Sequence, residues 1–203
     1  MKYTVILLMG LIPSLAISQT QKQRKYFPYV DHLSPKQQQQ DDRNHNCALT
    51  KKHSVKKLRS FYPFNIAHSV AIVSFEAGSS FYDSLPQIGG RIMQSRIKET
   101  RTLNRNQIDS LSAIFYNVTY QGKIITLWGT GCYEPRNAVL FLDSNNHLLE
   151  YIELCFECQN QRYSSDKVNI GDLCDQKSDM VKQFFRSHGI KNGTAETTNS
   201  LDK

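Results

Sequence analysis

The residues with the most chemistry to offer lie between positions 132 and 174. Cys132, Cys155, Cys158 and Cys174 fall in one stretch, and a fifth cysteine, Cys47, stands far upstream. A charged group surrounds them: Glu134 and Arg136 follow Cys132, and Glu153 and Glu157 flank Cys155. In an exported chain the default for such cysteines is disulfide bonding. Zinc would need four thiolates turned toward one ion. Cys155-x-x-Cys158 is half of such a set, but no second pair of that spacing follows, and no Gly or Pro turns the backbone between the two. Thiol–disulfide exchange needs a thiol of lowered pKa, usually at a helix start. Phe156-Glu157, with Glu153 ahead of them, puts negative charge there instead. A nucleophilic Cys132 would need a base, and the nearest histidine in sequence, His147, is fifteen positions on. Structural bridges therefore lead. A thiol-redox enzyme using Cys155/Cys158 with Cys132, or a Cys-ligated zinc protein, is the alternative.

Arg136 offers a planar fork that fits a carboxylate or a phosphate. With Glu134, Glu153 and Glu157 it forms either a polar recognition site or an ion pair that fixes a loop. Pro135 cannot donate to a sheet ladder, so strand pairing should end near it and leave backbone groups beside the charges.

These residues are positioned by a hairpin. Asn137 to Leu142 and Leu148 to Cys155 are apolar runs separated by Asp143-Ser144-Asn145-Asn146-His147, and Asn and Asp close tight turns. A turn centred on Asn145-Asn146 sets Asn137 opposite Leu154 and Tyr133 opposite Cys158. That register favours Cys132 with Cys158, one residue out and within reach of a bulge, and leaves Cys155 for Cys174. It also puts Glu134, Arg136, Cys155 and Glu157 on one face.

Around the hairpin, Ser69 to Phe75 reads as a buried strand, Arg91 to Thr102 as an exposed one, and Lys123 to Trp128 as a strand after a turn at Gly122. Asn104 and Gln107 form a capping box for a helix over 104–117 with Ile108, Leu111 and Phe115 on one face. A last helix spans about 172–188, stopped by Gly189. Strands dominate the middle and helices interrupt singly, which is α+β rather than repeating βαβ.

Across Cys132 to Phe141, reading CYEPRNAVLF, and Tyr151 to Cys158, reading YIELCFEC, the chain resembles a set of exported bacterial proteins with no assigned activity. The likeness spans about residues 70–190. It implies that the hairpin is the set's signature, and it brings no site roles.

The flanks carry a different message. Lys2, the apolar run Val5 to Ile12 and Ala16-Ile17-Ser18 have the three parts of a signal peptide over 1–18, cut before Gln19. Residues 19–60 hold ten Lys or Arg against three acids, whereas 61–203 are near neutral. The Gln37–Gln40 run and absent periodicity predict a disordered linker over 19–60, either merely solvated or touching an anionic envelope surface. Residues 61–190 form the single domain, and 191–203 a disordered tail. No later segment is apolar enough to span a membrane, and the neutral domain shows no specific nucleic-acid signature. Gly89-Gly90 lacks a phosphate-loop consensus, no His-Glu-x-x-His occurs, and the lone His68 reads as structural. Asn117 and Asn192 head glycosylation sequons. The whole reads as a periplasmic or extracellular α+β domain without a cofactor, a binding or cell-envelope accessory protein, with no catalytic constellation.

Overall fold

The computed structural model describes residues 33–76, 84–126 and 132–195. The expected signal segment lies outside them. In chain order the elements are α1 (Pro35–His45), β1 (Cys47–Leu49), α2 (Val55–Leu58), β2 (Ser69–Phe75), β3 (Gln87–Ile88), β4 (Arg91–Ile92), β5 (Ile97–Thr102), α3 (Arg105–Asn117), β6 (Val118–Tyr120), β7 (Asn137–Leu142), β8 (Leu148–Cys155), β9 (Asn160–Tyr163) and α4 (Lys177–Ser187). The fold is α+β. Five antiparallel strands form the main sheet in the order β5-β2-β7-β8-β9, and β1-β6 and β3-β4 are two-stranded ribbons.

The central strands β2 and β7 are buried on both faces, which is why they read as unbroken apolar runs. One face carries Val70, Ile72, Val139, Phe141, Ile152 and Leu154 against Leu111 and Phe115 of α3 and Val181, Phe184 and Phe185 of α4. The other carries Ala71, Val73, Phe75, Ala138 and Leu140, covered by Leu85, Ile92 and Ile97. The hairpin has the expected register, Asn137 opposite Leu154. Asp143 closes its turn by accepting from the Asn145 and His147 N–H groups, both at 2.8 Å, with Asn146 at φ 61°.

Several expectations are corrected. The predicted linker is folded from residue 35 on. Ser34 and Gln37 form a capping box, Pro35 opens α1, and α1 is held by tertiary bonds rather than an apolar stripe. Asp41 is buried and accepts from Ile125 N–H at 2.6 Å and Thr126 N–H at 3.0 Å. The strand expected over 123–128 is not formed where it is described: residues 123–126 are not strand, 127–128 lie outside the described residues, and the strand lies instead before Gly122, as β6 pairing with β1. The exposed strand over 91–102 is divided: β4, a short 3-10 turn over Gln94–Arg96, then β5. The last helix begins at Lys177 rather than 172. It ends with the Gly189 and Ile190 N–H groups returning to Arg186 and Phe185 carbonyls, a Schellman stop.

The expected C-terminal tail is tied down as far as it is described. The Lys191 and Asn192 N–H groups donate to the Glu99 carboxylate, and the buried Thr194 hydroxyl donates to Ile190 O at 2.7 Å. Gly193 is required there: its φ is +73°, and a Cβ would meet Asn137 Oδ1 at 2.2 Å. Residues 196–203 lie outside the described residues.

Candidate functional site

The cysteines divide into two bridges and one thiol. Cys132 bonds Cys158, with Cα atoms 5.7 Å apart, as the hairpin register favoured. Cys174 bonds Cys47 rather than Cys155, with Cα atoms 5.0 Å apart, which anchors the folded N-terminal segment to the loop before α4. Cys155 is a buried free thiol in a cluster with Tyr133 and Cys158, and its sulfur accepts from Glu134 N–H at 3.4 Å. This donor set does not suit zinc: four of the five sulfurs are in disulfides, and no group of three metal-binding side chains occurs among the described residues. Cys155 and Cys158 are not bonded to each other, and Cys155 is shielded from solvent.

At the hairpin mouth, Arg136 Nη1 donates to Glu157 Oε1 at 3.0 Å, and Nη2 lies 3.8 Å from Glu134 Oε2. The three are on the surface, with Arg136 37% exposed as a side chain. Two carboxylates already occupy the guanidinium, which makes this first a brace for the end of the hairpin. Ladder pairing stops at Asn137, two residues after Pro135.

Glu153 does not join that group. It pairs opposite Ala138 in the sheet interior, on the face covered by Leu85, and is 1% exposed. Its carboxylate accepts from Leu85 N–H and, at 2.8 Å, from Tyr133 O–H. The guanidinium of Arg162, its cross-strand neighbour on β9, lies 3.7 Å from the centre of the Tyr133 ring. Burial pushes the Tyr133 phenol far up, and the Glu153 charge adds to this, so the hydroxyl stays a donor. The trio holds Cys132's neighbour in place rather than facing a ligand.

A cavity that the sequence did not indicate lies on the other side of β8 and β9. Its volume is about 380 Å³. Leu154, Phe156, Ile170, Leu173 and Val181 form apolar walls, and His45, Tyr120, Asp175, Lys177 and Ser178 contribute polar atoms. Residues of α1, β6, β8, the turn into β9 with β9, the loop before α4 and α4 itself converge on it. His45, at the end of α1, is 3% exposed; Nε2 is 3.6 Å from Asp41 Oδ2 and Nδ1 is 3.8 Å from Asp175 Oδ1. The Tyr120 ring meets it edge-on at 5.6 Å. Burial pushes the Tyr120 phenol up, with Asp172 and Asp175 adding to the rise. Burial also pushes the Asp41 carboxyl up, but hydrogen bonds from Thr126 and Ile125 outweigh that and hold it below its ordinary value.

Lys177 is the unusual member. It is 1% exposed, and its ammonium donates to Phe115 O at 2.8 Å and Ile170 O at 3.3 Å. Phe115 lies in the last turn of α3, whose terminal carbonyls have no helical partner, so a cation there meets both an orphan acceptor and the negative end of the helix dipole. Burial nevertheless dominates and lowers its pKa to about 8. The one sequence feature that could have pointed toward this region is Cys47, which needs a partner elsewhere in the chain; it signals that the segment folds back, not that a cavity forms. Of the sequons, Asn117 is buried and its Oδ1 accepts from His53 N–H at 3.0 Å. No family model, curated protein or solved structure matches the chain.

Proposed function

We propose that the protein is an exported, disulfide-stapled binding module whose ligand is a small, largely apolar molecule with one or two polar groups. The cavity of about 380 Å³ carries this reading, because its size and its mix of apolar walls with a few converging polar groups are those of small-molecule sites. The signal-peptide pattern at 1–18 and the two disulfides support an oxidising destination, periplasmic or extracellular. Among the described residues no helix is long and apolar enough to cross a membrane. The thiol-redox alternative is weaker, since the one free thiol is sealed beneath Tyr133 and the 156–159 turn.

The test uses N-phenyl-1-naphthylamine, a neutral apolar dye whose emission rises and shifts to the blue on leaving water. Saturable one-to-one uptake by the native protein is expected. Ser178→Trp, which places an indole at the cavity wall on α4, should abolish uptake while circular dichroism and melting stay unchanged. Equal uptake by both proteins, or none by the native one, would sink the proposal.

A further inference from the structure

The chain's positive charge is carried in part by a folded, held surface. From Leu49 to Lys57 every residue except His53 is exposed, and the stretch holds Lys51, Lys52, Lys56 and Lys57 with no acid. Its backbone is fixed. Lys51 N–H donates to Asn117 O at 3.3 Å and His53 N–H to Asn117 Oδ1 at 3.0 Å. Ser54 caps α2, and Leu58 seats in the core. Just beyond, Arg59 grips Asp109 with both ends of its fork, so that acid is already engaged. Among the described residues no ion pair takes up any of the four lysines. Two aliphatic side chains stand among these charges, Leu49 at 65% exposure and Val55 at 47%.

We infer that residues 49–57 form a docking surface for an anionic phospholipid bilayer. The lysines engage the headgroups, and Leu49 and Val55 enter the interfacial layer. The combination decides the partner. A polyanionic glycan or nucleic acid would use the lysines and leave both aliphatic side chains in water. A bilayer interface accepts basic and apolar groups together. Because the backbone is already ordered by Asn117 and Leu58, docking does not require the segment to fold first. None of these residues lines the cavity, so either reading can fail alone.

The experiment is co-sedimentation of the full chain with phosphatidylcholine vesicles, with and without phosphatidylglycerol. Binding is expected only to the anionic vesicles and should fade as salt shortens the screening length from about 10 Å at 0.1 M to about 3 Å at 1 M. Each of Lys52→Gln and Lys56→Gln should weaken partitioning about five-fold, the loss that corresponds to about 1 kcal/mol per basic residue near the surface. Val55→Ser should weaken vesicle binding and leave retention on soluble heparin unchanged. All three side chains are exposed, so folding is not at stake. Unchanged partitioning in the Lys52→Gln/Lys56→Gln double variant would overturn the inference, because the charge before residue 33 would then be the carrier. Vesicle binding indifferent to Val55→Ser would overturn it in favour of a generic polyanion site.

Discussion

Lys177→Met isolates the most strongly perturbed group at the cavity. In the native protein the ammonium is buried, and its pKa falls from 10.5 to about 8. The unfolded chain therefore binds more protons than the folded one between about pH 8 and 10.5, and stability must rise with pH across that window. At about 1.4 kcal/mol for each step of one in pKa, the full gain is about 3 kcal/mol. Linkage places about 1 kcal/mol of it by pH 9 and about 2–3 kcal/mol by pH 10. Methionine does not titrate, so the difference in unfolding free energy between native and variant should grow by those amounts in urea titrations from pH 7 to 10. The Tyr116 and Tyr133 phenols, raised by burial, act in the opposite sense above about pH 10 but are common to both proteins and cancel. Below pH 8 the variant gains by removing a buried charge and loses by leaving the Phe115 and Ile170 carbonyls without their donor, each worth about 1–3 kcal/mol. The rise with pH does not depend on how those offset. A flat difference, or one that shrinks with pH, would show that the ammonium reaches water and that this part of the cavity wall is open.

Four further outcomes follow from the same geometry. In denaturant without reductant, dithionitrobenzoate should find one thiol, Cys155, while the native fold should give almost none; one fully reactive thiol in the native state would contradict the burial of Cys155 at 2% exposure. The Cys47→Ser/Cys174→Ser pair opens a bridge spanning 127 positions and should cost about 2–5 kcal/mol in urea unfolding, whereas an undiminished midpoint would mean that α1 does not depend on it. Arg136→Ala should cost less than about 1 kcal/mol, since its partners are surface glutamates; a much larger loss would place the pair in a buried network. Asp41→Asn sets an amide against the Thr126 donors and should destabilise α1. Because the folded pKa lies below 3.8, the margin of the native protein over this variant should hold down to about pH 4.5 and narrow at lower pH, as acid-unfolding curves would reveal.

Local chemistry made much of the sheet legible. Asp143 and Asn146 closed the hairpin turn and thereby its register, which in turn brought Cys132 to Cys158 and Arg136 to Glu157. The α3 capping box at Asn104 and Gln107 is equally local. By contrast, Gln37 to Gln40 carry no apolar stripe, so only the Ser34/Gln37 capping box and Pro35 announce α1 locally, and they do not make such a polar helix stable by themselves. It stands because Asp41 binds backbone 84 positions away and Cys47 bonds a cysteine 127 positions away. Glu153 shows the same limit. Alternation placed it with its charged neighbours, but the segment carrying Leu85 covers that face and turns the carboxylate into an interior acceptor. Short-range signals record what a few adjacent residues prefer, and here they determined the hairpin, the caps and one bridge. The cavity walls come from α1, β6, β8–β9, the loop before α4 and α4 itself, segments distant in sequence and joined by packing, tertiary hydrogen bonds and a long-range disulfide. Only the tertiary structure could decide that His45, Tyr120 and Lys177 share a space, because no two of them are within fifty residues in the chain.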